Sequence, residues 1–196
     1  GSTCAVLDAI LRASGRRVGL YASPHLLRYN ERVRIDGREA PDERLCESFA
    51  AVEHARGGVP LTYFEFGTLG AFWLFAQARP DALVLEVGLG GRLDAVNVVD
   101  ADCAVLTSVA LDHTDLLGAT REAIGREKAG VYRAQRCAIC GDPDPPRSLI
   151  EAAEQIDARL LCVGRDFDFE RLPEGWTWRA LDKMHAGLPY PAMRGD

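Results

Sequence analysis

Leu83-Val84-Leu85-Glu86-Val87-Gly88-Leu89-Gly90-Gly91-Arg92-Leu93-Asp94 is the stretch that decides how this chain is read. An apolar run bounded by glycines reads as a buried strand that ends in a loop. The strand delivers a single carboxylate, Glu86, and a second one, Asp94, follows the glycines. In open α/β sheets ligands collect just outside the carboxyl ends of the strands. A carboxylate at that place can hold a metal ion bound to phosphate. A plain strand, loop and surface acid is the alternative, and the surrounding chain has to decide.

Working outward, strands and helices alternate. Thr3 to Ala13 reads as a helix with Val6, Leu7, Ile10 and Leu11 on one side, and Gly15 suits its end. Arg17 to Ala22 is a strand that ends at Ser23-Pro24-His25-Leu26. Tyr29-Asn30-Glu31-Arg32-Val33 follows as a loop. Pro41 to Ala55 is a helix with Leu45, Phe49 and Val52 as its buried stripe. Thr62-Tyr63-Phe64-Glu65-Phe66 leads into an apolar helix that reaches Gln77 and packs on the sheet. Beyond the glycines come a strand at Asp102 to Ser108 and a helix at Thr120 to Val131 with Thr120 as N-cap. A strand at Arg136 to Cys140, a helix at Arg147 to Ile156 and a strand at Arg159 to Val163 complete the alternation. Asp166-Phe167-Asp168-Phe169 and Trp176-Thr177-Trp178 alternate instead, as small antiparallel edge strands do. The fold expected is α/β: a doubly wound, mostly parallel sheet flanked by helices, with a small antiparallel β edge near the C-terminus.

Composition narrows the function. With 47% hydrophobic residues in 196, the chain is globular and long enough for a sizeable core. A net charge of −6 argues against a nucleic-acid surface. No apolar run is long enough to span a bilayer, and no signal-peptide pattern opens the chain. No membrane association is therefore expected, and the location expected is cytoplasmic. Most of the six cysteines lie in apolar patterns, as reduced core thiols do. Cys137 and Cys140 form a lone CxxC, a weak pointer to zinc or redox work.

The polar residues with chemical potential fall at strand ends and helix starts. Gly1-Ser2-Thr3 is similar to the tail of a phosphate loop, where backbone N–H groups and a hydroxyl face an anion. Ser23 closes a strand and could reach a metal or its water. His113 stands in Asp112-His113-Thr114-Asp115, between acids able to fix its tautomer. Lys128, in Glu127-Lys128-Ala129-Gly130, could contact phosphate. Tyr63 and Phe64 could stack on a flat ligand or simply fill the core.

Together these motifs resemble the folylpolyglutamate synthase/dihydrofolate synthase family, of the bacterial bifunctional type, within the Mur-ligase-like ATP-dependent amide ligases. The resemblance rests on Gly1-Ser2-Thr3, Ser23-Pro24-His25-Leu26, Asn30-Glu31-Arg32, Thr62-Tyr63-Phe64-Glu65, the glycine stretch through Asp94, Asp112-His113-Thr114-Asp115 and Glu127-Lys128-Ala129-Gly130. Cys140-Gly141-Asp142-Pro143-Asp144-Pro145-Pro146 adds to it. It implies that residues 1–196 are the P-loop-NTPase-like central ATPase domain, lacking the phosphate-loop lysine at one end and the glutamate-binding domain at the other, and inactive alone. It implies ATP contacts at Gly1, Ser2 and Thr3. Two Mg²⁺ ions would be held by Ser2, Ser23, Glu86 and His113. Lys128, as a carbamyl-lysine, would act with His113 and Glu86 in catalysis. Thr62, Tyr63, Phe64, Leu93, Asp94 and Ala95 would hold the pteroate.

The reaction implied joins L-glutamate to dihydropteroate or to a reduced folate through an acyl phosphate, at the cost of ATP, in folate biosynthesis and one-carbon metabolism. A monomer is expected. Two rival readings remain: a ligase acting on a peptidoglycan precursor, and a non-catalytic nucleotide-binding module.

Overall fold

Residues 1–190 are described by a computed structural model of the chain, so the expected lack of a closing element at Arg194-Gly195-Asp196 lies outside the described residues. The chain divides into two units, and it changes unit inside the glycine stretch. Gly1–Leu89 and Asp94–Val98 form the first, and Gly90–Leu93 with the chain from Val99 onward form the second.

The first unit holds α1 (Ser2–Ala13), β1 (Val18–Tyr21), β2 (Val33–Ile35), β3 (Arg38–Glu39), α2 (Asp42–Arg56), α3 (Tyr63–Ala78) and β4 (Ala82–Leu85). Its sheet has the order β3-β2-β1-β4. β1 and β4 run parallel, with Val18 opposite Ala82 and Tyr21 opposite Leu85. All four residues of β1 are buried, which is why it reads as an unbroken apolar run. The segment expected as a loop, Tyr29 to Val33, is a 3₁₀ turn (Tyr29–Arg32) that leads into a hairpin. Asp36 and Gly37, both at positive φ, connect β2 to β3. An Asp-Gly pair at such angles is the two-residue turn that joins antiparallel strands.

On α1, Cys4, Leu7 and Leu11 pack against Val18, Leu20 and Val84. Val6 and Ile10, expected on that face, are exposed, because the buried stripe follows the spacing of Cys4, Leu7 and Leu11. Leu45 and Val52 are buried on α2 as expected, and Phe49 is half-buried. Helix α3 is apolar on every side and buries Ala71, Leu74 and Phe75 against Tyr21, Val33 and Leu45. It starts with a capping box. Thr62 Oγ1 accepts from the Glu65 N–H at 3.2 Å, and Glu65 Oε2 accepts from the Thr62 N–H at 2.7 Å.

The second unit holds β5 (Cys103–Leu106), α4 (Thr114–Leu117), α5 (Arg121–Ala129), β6 (Cys137–Cys140), α6 (Arg147–Gln155) and β7 (Arg159–Cys162). The strands β8 (Phe167–Leu172), β9 (Gly175–Ala180) and β10 (Lys183–Leu188) follow. β5, β6 and β7 form a parallel sheet in that order, with α5 and α6 as the crossovers. Ile124, Tyr132, Leu149 and Ala153 bury against Leu106, Ala138 and Cys140. The antiparallel edge expected near the C-terminus is a three-stranded sheet, with β10 as a strand the sequence reading had not placed. Among the described residues no helix is long and apolar enough to cross a membrane.

Asp142 fastens the carboxyl ends of β5 and β6. Its carboxylate accepts the Val109 N–H at 2.7 Å and the Asp144 N–H at 2.9 Å, and Arg121 Nη2 at 3.2 Å. Burial on its own raises a carboxyl's pKa. These N–H groups and the guanidinium outweigh it and hold Asp142 below its ordinary value. A group depressed in the folded state stabilises above its unfolded pKa, about 3.9 for Asp. That stabilisation is lost as pH falls through the lower folded value. Asp142→Asn should lower stability at pH 7 by about 2 kcal/mol, the cost of leaving buried donors poorly matched. It should also flatten the stability loss below about pH 4. Urea denaturation at pH 7 and pH 3 checks both, and an unchanged midpoint at pH 7 would remove Asp142 as an anchor.

Candidate active site

Glu86 follows β4 directly, and its N–H donates to the Tyr21 carbonyl of β1 at 2.8 Å. The parallel pairing thereby carries one residue past the strand and sets the carboxylate at the sheet's carboxyl edge. One oxygen, Oε2, accepts the Ser23 N–H at 3.0 Å. The other, Oε1, faces the backbone nitrogen of Gly1 at the start of α1. Three sequence-predicted segments, Gly1-Ser2-Thr3, Ser23 and Glu86, therefore meet at one strand end. The Glu86 side chain is 20% exposed, so it is reachable. Ser2 is the first residue of α1, whose N-terminus carries unsatisfied N–H groups and a partial positive charge.

A carboxylate, with Ser23 and the start of α1 beside it, offers hard oxygen donors. Mg²⁺ suits it: that ion takes one or two carboxylates, keeps waters and shares phosphate oxygens. Among the described residues no three His, Cys, Asp or Glu side chains converge, so an all-protein cage for a metal is not present. The residues fit a metal that arrives with phosphate.

The loop after Glu86 is shaped by two close approaches. At Gly88 a Cβ would lie 2.6 Å from the Phe64 ring, and at Gly91 it would lie 2.8 Å from the Glu127 carbonyl oxygen. Only glycine allows both. Asp94 then fastens the first half of the loop. Its Oδ2 accepts the Gly88 and Leu89 N–H groups, each at 3.0 Å, and its Oδ1 accepts the Val96 N–H at 2.9 Å. A carboxylate has roughly four acceptor positions. Backbone donors take three of them, so the residue expected as a pterin acceptor is first a staple of the loop. Phe64, Gly88, Asp94 and Ala95 thus belong to one local cluster. Thr62 caps α3, Tyr63 is largely exposed beside it, and Phe64 also touches Tyr21 with ring centroids 5.9 Å apart.

In the second unit Arg92 fastens the other half of the loop. It grips Glu127 of α5 through Nε at 3.1 Å and Nη2 at 3.0 Å, while the Arg92 N–H donates to the Glu127 carbonyl at 2.9 Å. Leu93 is exposed. Lys128 is half-buried on α5, with no ion-pair partner among the described residues. His113 is exposed, holds the left-handed conformation with φ 48° and caps the short helix α4. Its backbone N–H donates to Asp112 Oδ1 at 2.8 Å, but its ring Nε2 lies 3.8 Å from Asp112 Oδ2. That is too long for a hydrogen bond, so the expected fixing of its tautomer by a neighbouring acid does not occur here. A groove of about 640 Å³ is lined by Glu122, Arg126, Glu127, Arg147, Ser148 and Glu151 among others and holds none of the expected metal ligands.

Two residues had been quoted without a role. Glu31 accepts the N–H groups of Leu26, Leu27 and Arg28 at 2.7 to 2.8 Å, which holds its carboxyl down to about 2 and fixes the loop after Ser23. Arg32 donates through Nε to His25 Nδ1 at 2.7 Å and lies over the Tyr29 and Tyr63 rings, 5.5 Å from each centroid. An acid five residues after a Pro-containing strand end was the available signal for the first. Nothing in the sequence predicted the aromatic sandwich.

The fold is α/β, with the parallel strands and flanking helices of the solved structures it matches. No protein-family model matches the chain. A dihydrofolate synthase/folylpolyglutamate synthase of Escherichia coli is 51% identical over 193 residues, which cover 98% of this chain and 46% of that protein. The structure of E. coli FolC in complex with DHPP and ADP superposes with a TM-score of 0.96 at 51% identity, over 97% of this chain and 46% of that one. A bifunctional folylpolyglutamate synthase/dihydrofolate synthase with Mn, AMPPNP and L-glutamate bound superposes with a TM-score of 0.93 at 53% identity, over 97% and 47%. The chain belongs to the folylpolyglutamate synthase/dihydrofolate synthase family. It spans about half the length of the curated relatives it matches.

If Asp94 staples the loop, its loss should show first in the loop. Hydrogen bonds to a charged acceptor contribute about 1.5–3 kcal/mol each. Asp94→Ala should therefore speed amide exchange at Gly88, Leu89 and Val96 by at least about tenfold, with β4 unaffected. Unchanged protection at Gly88 and Leu89 would contradict the role.

Proposed function

We propose that this chain is the nucleotide-binding part of an ATP-dependent ligase that joins L-glutamate to dihydropteroate and to reduced folates. The observation that carries the reading is the meeting of Glu86, Ser23 and the α1 N-terminus at one strand end. The ligands named with its relatives, DHPP, ADP, AMPPNP, Mn and L-glutamate, support the same assignment. The finer architecture expected from the sequence, a doubly wound sheet of the P-loop NTPase kind, is part of this reading. The parallel crossovers β1–β4 and β5–β6–β7 support it. The enzyme would act in the cytoplasm as a monomer, without nucleic acid or membrane.

In this proposal Gly1, Ser2 and Thr3 present backbone N–H groups and the Ser2 hydroxyl to the ATP phosphates. Ser2, Ser23, Glu86 and His113 would hold the two Mg²⁺ ions. When bound, Mg²⁺ supplies positive charge to the phosphate oxygens as the γ-phosphoryl group transfers. Thr62, Tyr63, Phe64, Leu93, Asp94 and Ala95 would seat the pteroate, with Phe64 against its flat face. Asp94 retains one acceptor position on Oδ1 for a pterin N–H, and the rest of its carboxylate keeps the loop in shape. Lys128, half-buried and with no ion-pair partner among the described residues, is the residue we assign as carbamylated. That modification exchanges an ammonium for an anion.

The chemistry proceeds in two balanced steps. A substrate carboxylate oxygen bonds to the γ-phosphorus of ATP, and the bond to ADP breaks. The glutamate amine then attacks the acyl carbonyl, loses a proton and expels phosphate. The chain's contribution is mainly to place the reactants and face N–H groups at the growing negative charge.

The test is transfer of isotope. The protein carrying this chain is given ATP, L-glutamate and dihydropteroate labelled with ¹⁸O in its carboxylate. The expected result is one label in the released phosphate and an amide product. A UDP-muramoyl substrate should be inert. Unlabelled phosphate would overturn the acyl-phosphate route, and ligation only to the UDP-muramoyl substrate would overturn the folate assignment.

A further inference from the structure

Strand β6 carries a thiol at each end, and each faces a thiol on a different neighbouring strand. Cys137 is directly opposite Cys103 of β5, and Cys140 is directly opposite Cys162 of β7. In each pair the two thiols lie close enough to perturb one another. The CxxC of the sequence is therefore not a pair in itself. Its two members sit three residues apart on a strand and each pairs across to another strand.

Neighbouring strands lie about 4.8 Å apart. That is inside the Cα separation a disulfide accepts, about 4.4–6.8 Å. In-register parallel neighbours keep their Cβ atoms at about the same spacing, just beyond the roughly 3.5–4.5 Å of a disulfide, so closure needs a small shift of the strand ends, and access separates the two pairs. Cys103 is exposed and Cys137 half-buried, whereas Cys140 and Cys162 are both buried. The first pair is also held in register from outside. Arg136 Nη1 and Asp102 Oδ1, the residues just before the two cysteines, form an ion pair at 2.9 Å.

We propose that Cys103 and Cys137 form a reversible disulfide with low-molecular-weight disulfides, a redox site at the amino ends of β5 and β6. Cys103, the exposed thiol, attacks the reagent as its thiolate. One S–S bond breaks, one thiol leaves and a mixed disulfide forms. Cys137, directly opposite on the neighbouring strand, then displaces the second thiol and closes the cross-link. The protein loses two electrons and two protons, and the reagent carries them away as two thiols. Burial and the adjacent Cys137 push the Cys103 thiol up to about 11, so the first step is slow at neutral pH and closure follows it quickly. The cross-link would join β5 to β6 at the end opposite to Asp142.

The experiment uses the native protein with oxidised glutathione, followed by alkylation of the remaining thiols in denaturant and peptide mapping. Cys103 and Cys137 should leave the alkylated set together and be recovered as one cross-linked peptide pair, restored by dithiothreitol. Cys140 and Cys162 should stay alkylated and serve as the equally spaced, buried control. In Cys103→Ser and in Cys137→Ser the cross-link should vanish, with at most a glutathione adduct on the remaining cysteine. Separate adducts on Cys103 and Cys137, or free thiols at both while the exposed Cys46 is modified, would overturn the proposal. So would prior formation of a Cys140–Cys162 bond.

Discussion

The Glu86 carboxylate is the interaction on which the rest of the candidate site depends. Parallel pairing of β1 with β4 carries it one residue beyond the strand, where the Ser23 N–H takes one oxygen at 3.0 Å. The second oxygen faces the Gly1 nitrogen at the start of α1. A single carboxylate turned this way, beside Ser23 and a helix N-terminus, suits a cation that brings its own phosphate ligands. It does not suit a metal that the protein must enclose alone.

The glycine stretch serves this arrangement by being fastened twice. Asp94 collects three backbone N–H groups on the side nearer Glu86. Arg92 and Gly91 lie on α5 at the other side, next to Lys128. The chain passes between its two units inside this one loop. Asp94→Ala would therefore be expected to disturb loop order before it disturbed any direct contact with a ligand.

The alternation of strands and helices was legible because buried parallel strands are continuous apolar runs with glycine or proline at their ends. β1 is the fully buried case, whereas β4 and β5 leave residues exposed and β7 opens on Arg159, and these were legible from their apolar runs alone. The short hairpin of β2 and β3 was missed although Asp36-Gly37 announces it, because the polar residues around it hide the period. Glu86, Ser23 and the α1 start were legible as separate hints, and their meeting is a property of strand order that no local pattern carries. The roles of Asp94, Glu31 and Arg32 were not legible. Each depends on backbone N–H groups or rings brought close by folding. The cysteines show the same limit. A CxxC spacing suggests a pair, and the strand register assigns each member a different partner.

The central claim is that Glu86 binds the divalent ion that accompanies ATP. Electron paramagnetic resonance of Mn²⁺ with ATP and the protein tests it directly, comparing the native protein with Glu86→Gln. Losing one of the few protein ligands should weaken retention of the ion on the bound nucleotide by about tenfold or more, with the fold intact by circular dichroism. Equal Mn²⁺ binding by the two proteins would contradict the claim and return Glu86 to an ordinary acid at the end of a strand.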